Sequence, residues 1–547
     1  MNIPRKYILI AIILLGLSLR LFHLSSNPPH LTPDEAALGY NAYSILKTGK
    51  DEYGTPFPLV FKSFGDYKPG LYVYLTVPFI SIMGLNEFAV RFPSAFMGVL
   101  AVYFMYQFVK LLSKDETLAL IAAFLLAVSP WHMHFSRGAW EANVALTFLL
   151  VALTFFVRAM QKARWLPVAS VFCAFSLLSY QGSKLSVVLA LLIFSLFFLK
   201  ELKNIPIKTY GVSLLLGFFV SLPIIVSLFA GQTGRLGVFS VFSYPRPPEY
   251  LTAFLNNGGD HVGSVTYYMF HSEPLNFLRG ILGRWFNHYS ARFLLFEGDW
   301  SNPRHSVPHS GVITLIDGLF LVVGIYVVMS KSTRRWMMPI IAWFILSPLP
   351  SVLSRDQVHA VRSLPMVIPL TVLIALGLRS VAVLPMRKIT ISIVGILYIA
   401  SYAYFLDAYF IHGVVHNSHY WAYGYKQIME EIKPYAQEGK TIYIQQSYEQ
   451  PYIFYLFYTQ YNPALYQQQA NLVESTSGDV GYVEHIDTVH FVQIDWSAQR
   501  GTHGAIFAAD PIKIPPQDSS SPAEFTLLKE ILYLNNKDTA FRIIEIK

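Results

Sequence analysis

The sequence predicts an all-α polytopic membrane protein with a small α/β domain at its C-terminal end. Three observations predict it. The 547 residues are 54% hydrophobic and 15% aromatic but only 14% charged, with mean hydropathy +0.42, more apolar material than a soluble core takes up. Apolar runs near the ~20 residues a span needs recur about eleven times. After Phe410 the composition turns polar and rich in Tyr and Gln, with strand-like runs at Thr441-Ile-Tyr-Ile-Gln and Thr488-Val-His-Phe-Val-Gln-Ile.

The first run, Tyr7 to Leu24, follows Arg5 and Lys6 and lacks a small-residue cleavage site, so it reads as an uncleaved anchor with a cytoplasmic N-terminus. Leu71 to Leu85 is apolar but aromatic, short and interrupted by Pro78; it reads as a helix on the outer surface. Further spans are expected at Phe92–Val109, Thr117–Met133, Ala142–Val157, Leu166–Ser179, Leu185–Leu199, Val212–Ala230, Val312–Ser330, Met337–Leu353, Pro365–Leu378 and Ile389–Phe410. The inward loops then carry Lys110 and Lys114; Arg158, Lys162 and Arg164; Lys200, Lys203 and Lys208; Lys331, Arg334 and Arg335; Arg387 and Lys388. All are basic, as cytoplasmic loops should be. Counting Leu71–Leu85 as a span would turn every one of them outward.

That parity makes residues 1–410 a membrane module and 411–547 a soluble α/β domain on the outer face. Also outside are the loops 25–91 and 231–311 and the turns near 132–143 and 354–364. The net charge of +8 is mostly this topology and does not point to nucleic acid. No P-loop or dinucleotide motif is present. Cys173, the sole cysteine, lies within a span, so the outer domain has no disulfide.

Chemistry is expected on the outer face. Leu31 to Tyr74 places Asp34, Glu35, Asp66 and Lys68 among prolines directly after the first span, and ionisable groups held against hydrocarbon mark function. The plain alternative for Asp34-Glu35 is capping, since Thr32-Pro-Asp-Glu opens a helical Ala-Ala-Leu stretch. Arg137 and Glu141, four apart, would share a helical face as an ion pair or orient a further carboxylate. The run from Arg292 carries Glu297, Asp299, Arg304, His305 and His309 and reads as a solvated loop; prolines between the two histidines argue against a helical metal site. Arg355, His359 and Arg362 stand at a span entrance, where snorkelling to headgroups is the alternative.

A lipid-linked phospho-sugar fits such a face: its tail needs an apolar groove, its phosphate needs cations, and attack at its anomeric carbon needs one carboxylate base, because the leaving phosphate needs no acid. At these residues the sequence resembles a known family. Asp34-Glu35 after the first span, Lys68-Pro-Gly-Leu-Tyr, and Glu87-Phe-Ala-Val-Arg-Phe-Pro-Ser-Ala opening the next true span look like the GT-C glycosyltransferases of the protein O-mannosyltransferase and lipid A aminoarabinose transferase type. The resemblance runs to about Lys200 and is topological beyond. It implies Asp34 as catalytic base, Lys68 near the carrier phosphate, and Glu141 as a second acidic residue in the next outer turn. Glu141 stands where some relatives carry Asp, and Lys68 where the mannosyltransferases carry His.

The expected activity is transfer of a sugar from a polyprenyl-monophosphate donor to a hydroxyl of a protein, lipid or glycan on the outer face of the cell membrane, with inversion. The acidic candidates are Asp34, Glu35, Asp66 and Glu141. The phosphate-binding candidates are Lys68, Arg137, His359 and Arg362. A divalent metal is left open, with Asp34 and Glu141 as its candidate ligands. A transporter or flippase of a lipid-linked saccharide, or a cell-wall polymer ligase or polymerase, are the rival readings; the former predicts charges inside central spans.

Overall fold

Long apolar stretches, interrupted mainly at proline and glycine, set the helices of this protein, whose computed structural model describes residues 4–232, 240–330, 335–381, 387–447, 450–474 and 480–547. Helix α1 is Arg5–Leu21 and α2 is Pro33–Thr48. A hairpin of β1 (Val60–Ser63) and β2 (Asp66–Pro69) precedes α3 (Leu71–Met83), α4 (Glu87–Ser113), α5 (Glu116–Val128), α6 (Pro130–Phe135), α7 (Glu141–Ala159), α8 (Leu166–Ser179), α9 (Ser183–Phe197) and α10 (Ile207–Phe229). Then come α11 (Pro248–Asn257), α12 (Glu273–Asn287), α13 (Leu315–Ser330), α14 (Met337–Leu346), α15 (Val367–Val381) and α16 (Arg387–Asp407). Five helical stretches are long and apolar enough to cross a membrane: Glu87–Ser113, Glu141–Ala159, Ile207–Phe229, Leu364–Val381 and Lys388–His416. The others are shorter.

Two expected spans are broken. Thr117–Met133 stops at Val128 and restarts at Pro130, and Met337–Leu353 stops at Leu346 before Pro348. Proline has no N–H to continue the ladder and fits the first turn of a new helix. The loop 231–311 is not plain coil, since it holds α11 and α12; its residues 233–239 lie outside the described ones, as do Lys331 and Arg334 of the basic loops.

Helix α7 is nearly all buried and forms the centre of the bundle, whereas α10 and α16 leave most of their apolar surface uncovered, as lipid-facing helices do. Small residues permit the closest crossing. A Cβ on Gly324 of α13 would lie 1.9 Å from the carbonyl oxygen of Leu373, and one on Gly377 of α15 would lie 2.0 Å from that of Phe320, so two backbones touch where glycine leaves room.

Charge sorts to one end. The pairs Arg5–Glu116, Arg335–Glu201 and Arg379–Asp115 join helix ends on the side away from Asp34. Helix α3 is 13 residues, about 20 Å at 1.5 Å per residue. It starts beside Lys68 and ends before Glu87, whose carboxylate meets Lys426 of the C-terminal domain at 2.7 Å. Both its ends therefore sit on the domain-bearing side.

The C-terminal chain supplies α17 (Tyr425–Gln437), β3 (Ile442–Gln445), α18 (Pro451–Thr459), α19 (Pro463–Gln469), β4 (Leu472–Val473), β5 (Tyr482–Val483), β6 (His485–Ile486), β7 (Val489–Val492), β8 (Ile506–Ala509), β9 (Phe525–Leu532) and β10 (Thr539–Ile546). The two strand-like runs become β3 and β7, adjacent and parallel, in a sheet ordered β6-β7-β3-β8-β10-β9. One sheet face packs with Trp496, Phe507 and Phe525. The other shares a core with α2, through Tyr40, Tyr452, Phe457 and Tyr466. Gly39 makes this approach possible, because a Cβ there would lie 2.6 Å from both the Phe457 ring and Val90. His30 completes the seam: its Nδ1 donates to the Leu31 carbonyl, its Nε2 accepts from the Lys426 amide, and burial pushes the ring down to about 4.

Glu52 is fully buried at this seam beside Tyr53 and Tyr452. Its Oε1 accepts from Asn41, its Oε2 has no partner, and burial raises its carboxyl to about 8. The folded protein thus keeps a proton that the unfolded chain releases near 4.3, so this group makes stability fall as pH rises from about 4.3 to 8. Glu52→Gln is expected to be more stable than the parent at pH ~8, by on the order of a few kcal/mol, and to lose that advantage near pH ~5. Thermal unfolding of both proteins in detergent across this range checks it.

Candidate active site

Thr32 caps α2. Its hydroxyl accepts from the Glu35 amide while Glu35 Oε2 accepts from the Thr32 amide at 2.9 Å, a reciprocal capping box. Capping therefore belongs to Thr32 and Glu35 and does not occupy Asp34. Glu35 is buried and its carboxylate is fully engaged: Oε1 accepts from Arg91 Nε at 3.0 Å and from the Ala139 amide at 2.8 Å. Arg91, with no exposed surface, also donates to the carbonyls of Leu24, Pro28 and His30. One ion pair thus ties α2, the start of α4, the segment after α1 and the turn before α7.

Asp34, one residue earlier, is largely exposed and forms an ion pair with Lys68 Nζ. Lys68 comes from β2 and is flanked by the carboxylates of Asp34, Glu141 and Asp66. Burial pulls its ammonium down, but those three charges outweigh the burial and hold it above the ordinary lysine value. Glu141 opens α7 with Oε1 buried and without a hydrogen-bond partner. Next to it lies a small, mainly apolar pocket between α7, α8 and α9, lined by Ala142, Leu146, Leu149, Ser186, Tyr180 and Arg362. Arg362 interacts with Tyr180 and also pairs with Asp356 at 2.5 Å, while Glu141 and Asp34 lie near enough to act on the Tyr180 hydroxyl.

The structure brings Asp34, Asp66, Lys68, Glu141 and Arg362 to one place. Arg137 is placed elsewhere. It is buried, donates to the carbonyls of Leu19, Phe22 and Asn27, and lies over the rings of Tyr409 and Phe410. The expected helical pair with Glu141 is absent because α7 begins at Glu141, and Gly138–Trp140 before it are not helical. His359 packs on the His305 ring at 4.9 Å, in a group with Asp299. Nor is the stretch after Arg292 simply a solvated loop: Asp299 and His305 are buried and paired, while His309 is exposed.

For a metal at Asp34 and Glu141, Lys68 already supplies the positive charge between them. Among the described residues, the group whose ligand atoms fall within 4.8 Å of one another is Asp299, His305 and His359. Sequence reasoning gave no role to Arg91, Tyr180 or Lys184, whose charge lies near Asp66. Arg91 carried a usable signal, a charge inside an apolar span that needs a buried partner; Tyr180 carried none.

Glu35→Ala would leave Arg91 buried without its counter-charge, a loss of about 3–5 kcal/mol. The expected outcome is a large fall in unfolding temperature and in the yield of folded protein in detergent, measured against Asp34→Asn, which should shift neither.

A family profile described as dolichyl-phosphate-mannose-protein mannosyltransferase matches residues 67–226. No curated protein matches the sequence. ArnT from Cupriavidus metallidurans bound to undecaprenyl phosphate is 12% identical over 98% of this chain and 97% of its own, with TM-score 0.55; in the apo state it is 13% identical with the same coverage and TM-score. The Archaeoglobus fulgidus oligosaccharyltransferase in complex with Zn and sulfate is 15% identical over 83% of this chain, which spans 61% of that protein, at TM-score 0.50. The profile covers less than a third of the chain, and what the chain shares with the solved structures is the fold.

Proposed function

We propose that this protein transfers a sugar from a polyprenyl-monophosphate donor to a hydroxyl acceptor on the extracytoplasmic face of the membrane, with Asp34 as general base. The observation that carries the reading is the site itself: an exposed carboxylate paired with a lysine, close to a tyrosine and an arginine that line a small apolar pocket. The undecaprenyl phosphate bound by ArnT is the kind of donor carrier whose phosphate such cations would hold. The basic clusters at the far end of the bundle support the outward orientation.

In this scheme Lys68 and Arg362 hold the donor phosphate. The arriving phosphodiester anion draws Lys68 from Asp34 and uncovers the base. Asp34 takes the acceptor O–H proton, the oxygen bonds to the anomeric carbon, and the carbon–phosphate oxygen bond breaks with its electrons leaving on the phosphate. Attack opposite the leaving group inverts the centre. Glu141 and Asp66 keep Lys68 charged, and Glu35 holds the helix that presents Asp34. A transporter would need charge within the central spans, and here the charges gather at the bundle ends.

A positioned base contributes roughly 10²–10⁴-fold. Asp34→Asn should lose turnover of radiolabelled polyprenyl-phosphate sugar by about that factor while donor binding stays normal. Lys68→Ala should weaken donor binding as well as turnover. Wild-type turnover in Asp34→Asn at saturating donor and acceptor would move the base to Asp66 or Glu141.

A further inference from the structure

Outside the carboxylate–lysine site, the loop after α12 and the loop before α15 meet in a buried cluster. Asp299 has no exposed surface, and its Oδ2 lies 2.9 Å from His305 Nδ1 and accepts from the Ala360 amide at 2.8 Å. His305 is enclosed by the rings of Phe135, Trp140 and His359. We propose that Asp299, His305 and His359 bind a divalent transition-metal cation, Zn²⁺ by the chemistry of the donor set, and that this ion clasps the two loops and fixes Arg362 beside Tyr180.

Two imidazoles and one carboxylate from different loops, with ligand atoms within 4.8 Å, are the donors and number that Zn²⁺ takes where a fourth position stays open. A carboxylate this deep needs a counter-charge, and the side chain paired with it is an imidazole rather than Lys or Arg. The surroundings orient the set. His288 Nδ1 donates to the Arg284 carbonyl at 2.7 Å, so its Nε2 is an acceptor, taken up by the Ser351 hydroxyl and the His359 amide. His288 therefore holds the His359 backbone and is not itself a ligand, as outer-shell partners do. Three residues past His359, the Arg362 amide donates to His359 Nδ1 at 3.3 Å, a contact that a cation on that nitrogen would replace, and the Arg362 guanidinium bonds to Asp356. Fixing His359 thus fixes the base of Arg362. Trp140 joins the cluster to Glu141, its neighbour in sequence. The part of this proposal concerning Arg362 rests on the transferase reading; the metal site does not.

The test uses the full-length protein in detergent, stripped with a chelator and dialysed. On titration with Zn²⁺ it should retain roughly one equivalent by elemental analysis, and Co²⁺ in its place should give the visible ligand-field bands of a low-symmetry four-coordinate site. His359→Gln should lower Zn²⁺ affinity by at least about tenfold, the lower limit seen even for outer-shell partners. Asp34→Asn with Glu141→Gln should leave affinity unchanged. The wild-type Co²⁺ spectrum reads the site without relying on any variant folding. No tight Zn²⁺ in the wild type, uptake indifferent to His359→Gln, or loss in the Asp34/Glu141 variant would each overturn the site. If Zn²⁺ binds as expected but stripping it leaves donor affinity unchanged, the link to Arg362 fails while the metal site stands.

Discussion

The buried pair of Glu35 and Arg91 is the constraint on which the Asp34-bearing end of the bundle depends. An arginine inside an apolar helix is costly unless every donor is met, and here one carboxylate and three carbonyls meet them. The same carboxylate closes the capping box of α2 and accepts the Ala139 amide. One charge therefore sets the start of the helix bearing Asp34, the entry of α4, and the turn that delivers Glu141. If it were displaced, three elements would lose their common reference at once.

Around that anchor the site divides its work by exposure. The buried acid, Glu35, is saturated with donors and cannot offer a lone pair to a substrate. Asp34 next to it reaches solvent and pairs with Lys68. A carboxylate paired with an ammonium at the surface is more easily released by a competing anion than one held by a buried arginine and two amides. Adjacent residues of one type thus gain different chemistry from their surroundings.

The C-terminal domain is built into this arrangement. Its helix α18 lies directly against Gly39, and Lys426 reaches Glu87 and, through its amide, His30. The core that stabilises the sheet is in part the core that stabilises α2, the helix bearing Asp34. The polar chain past the last span serves as the outer wall of α2, with Glu52 enclosed at the join.

The sequence by itself determined the class of molecule. Hydropathy set the helices because lipid demands apolar side chains with an internally bonded backbone, and the basic residues between them are the grounds for expecting Leu71–Leu85 on the outer surface. Thr441 to Gln445 and Thr488 to Ile494 showed their strands by alternation, and Asp34 and Lys68 were legible because charge beside a span is costly. Tertiary structure alone decided which carboxylate is which. Asp34 and Glu35 are adjacent in the chain, and Arg91, 56 residues on, makes Glu35 a strut while Asp34 pairs with Lys68 at the surface. It also decided that Arg137 serves the backbone, that His305 joins His359 instead of His309, and that Tyr180 meets Arg362. The reason is physical: periodicity and hydropathy are local properties, whereas partner choice for a buried charge depends on which donors folding brings within about 3 Å, and these come from distant parts of the chain.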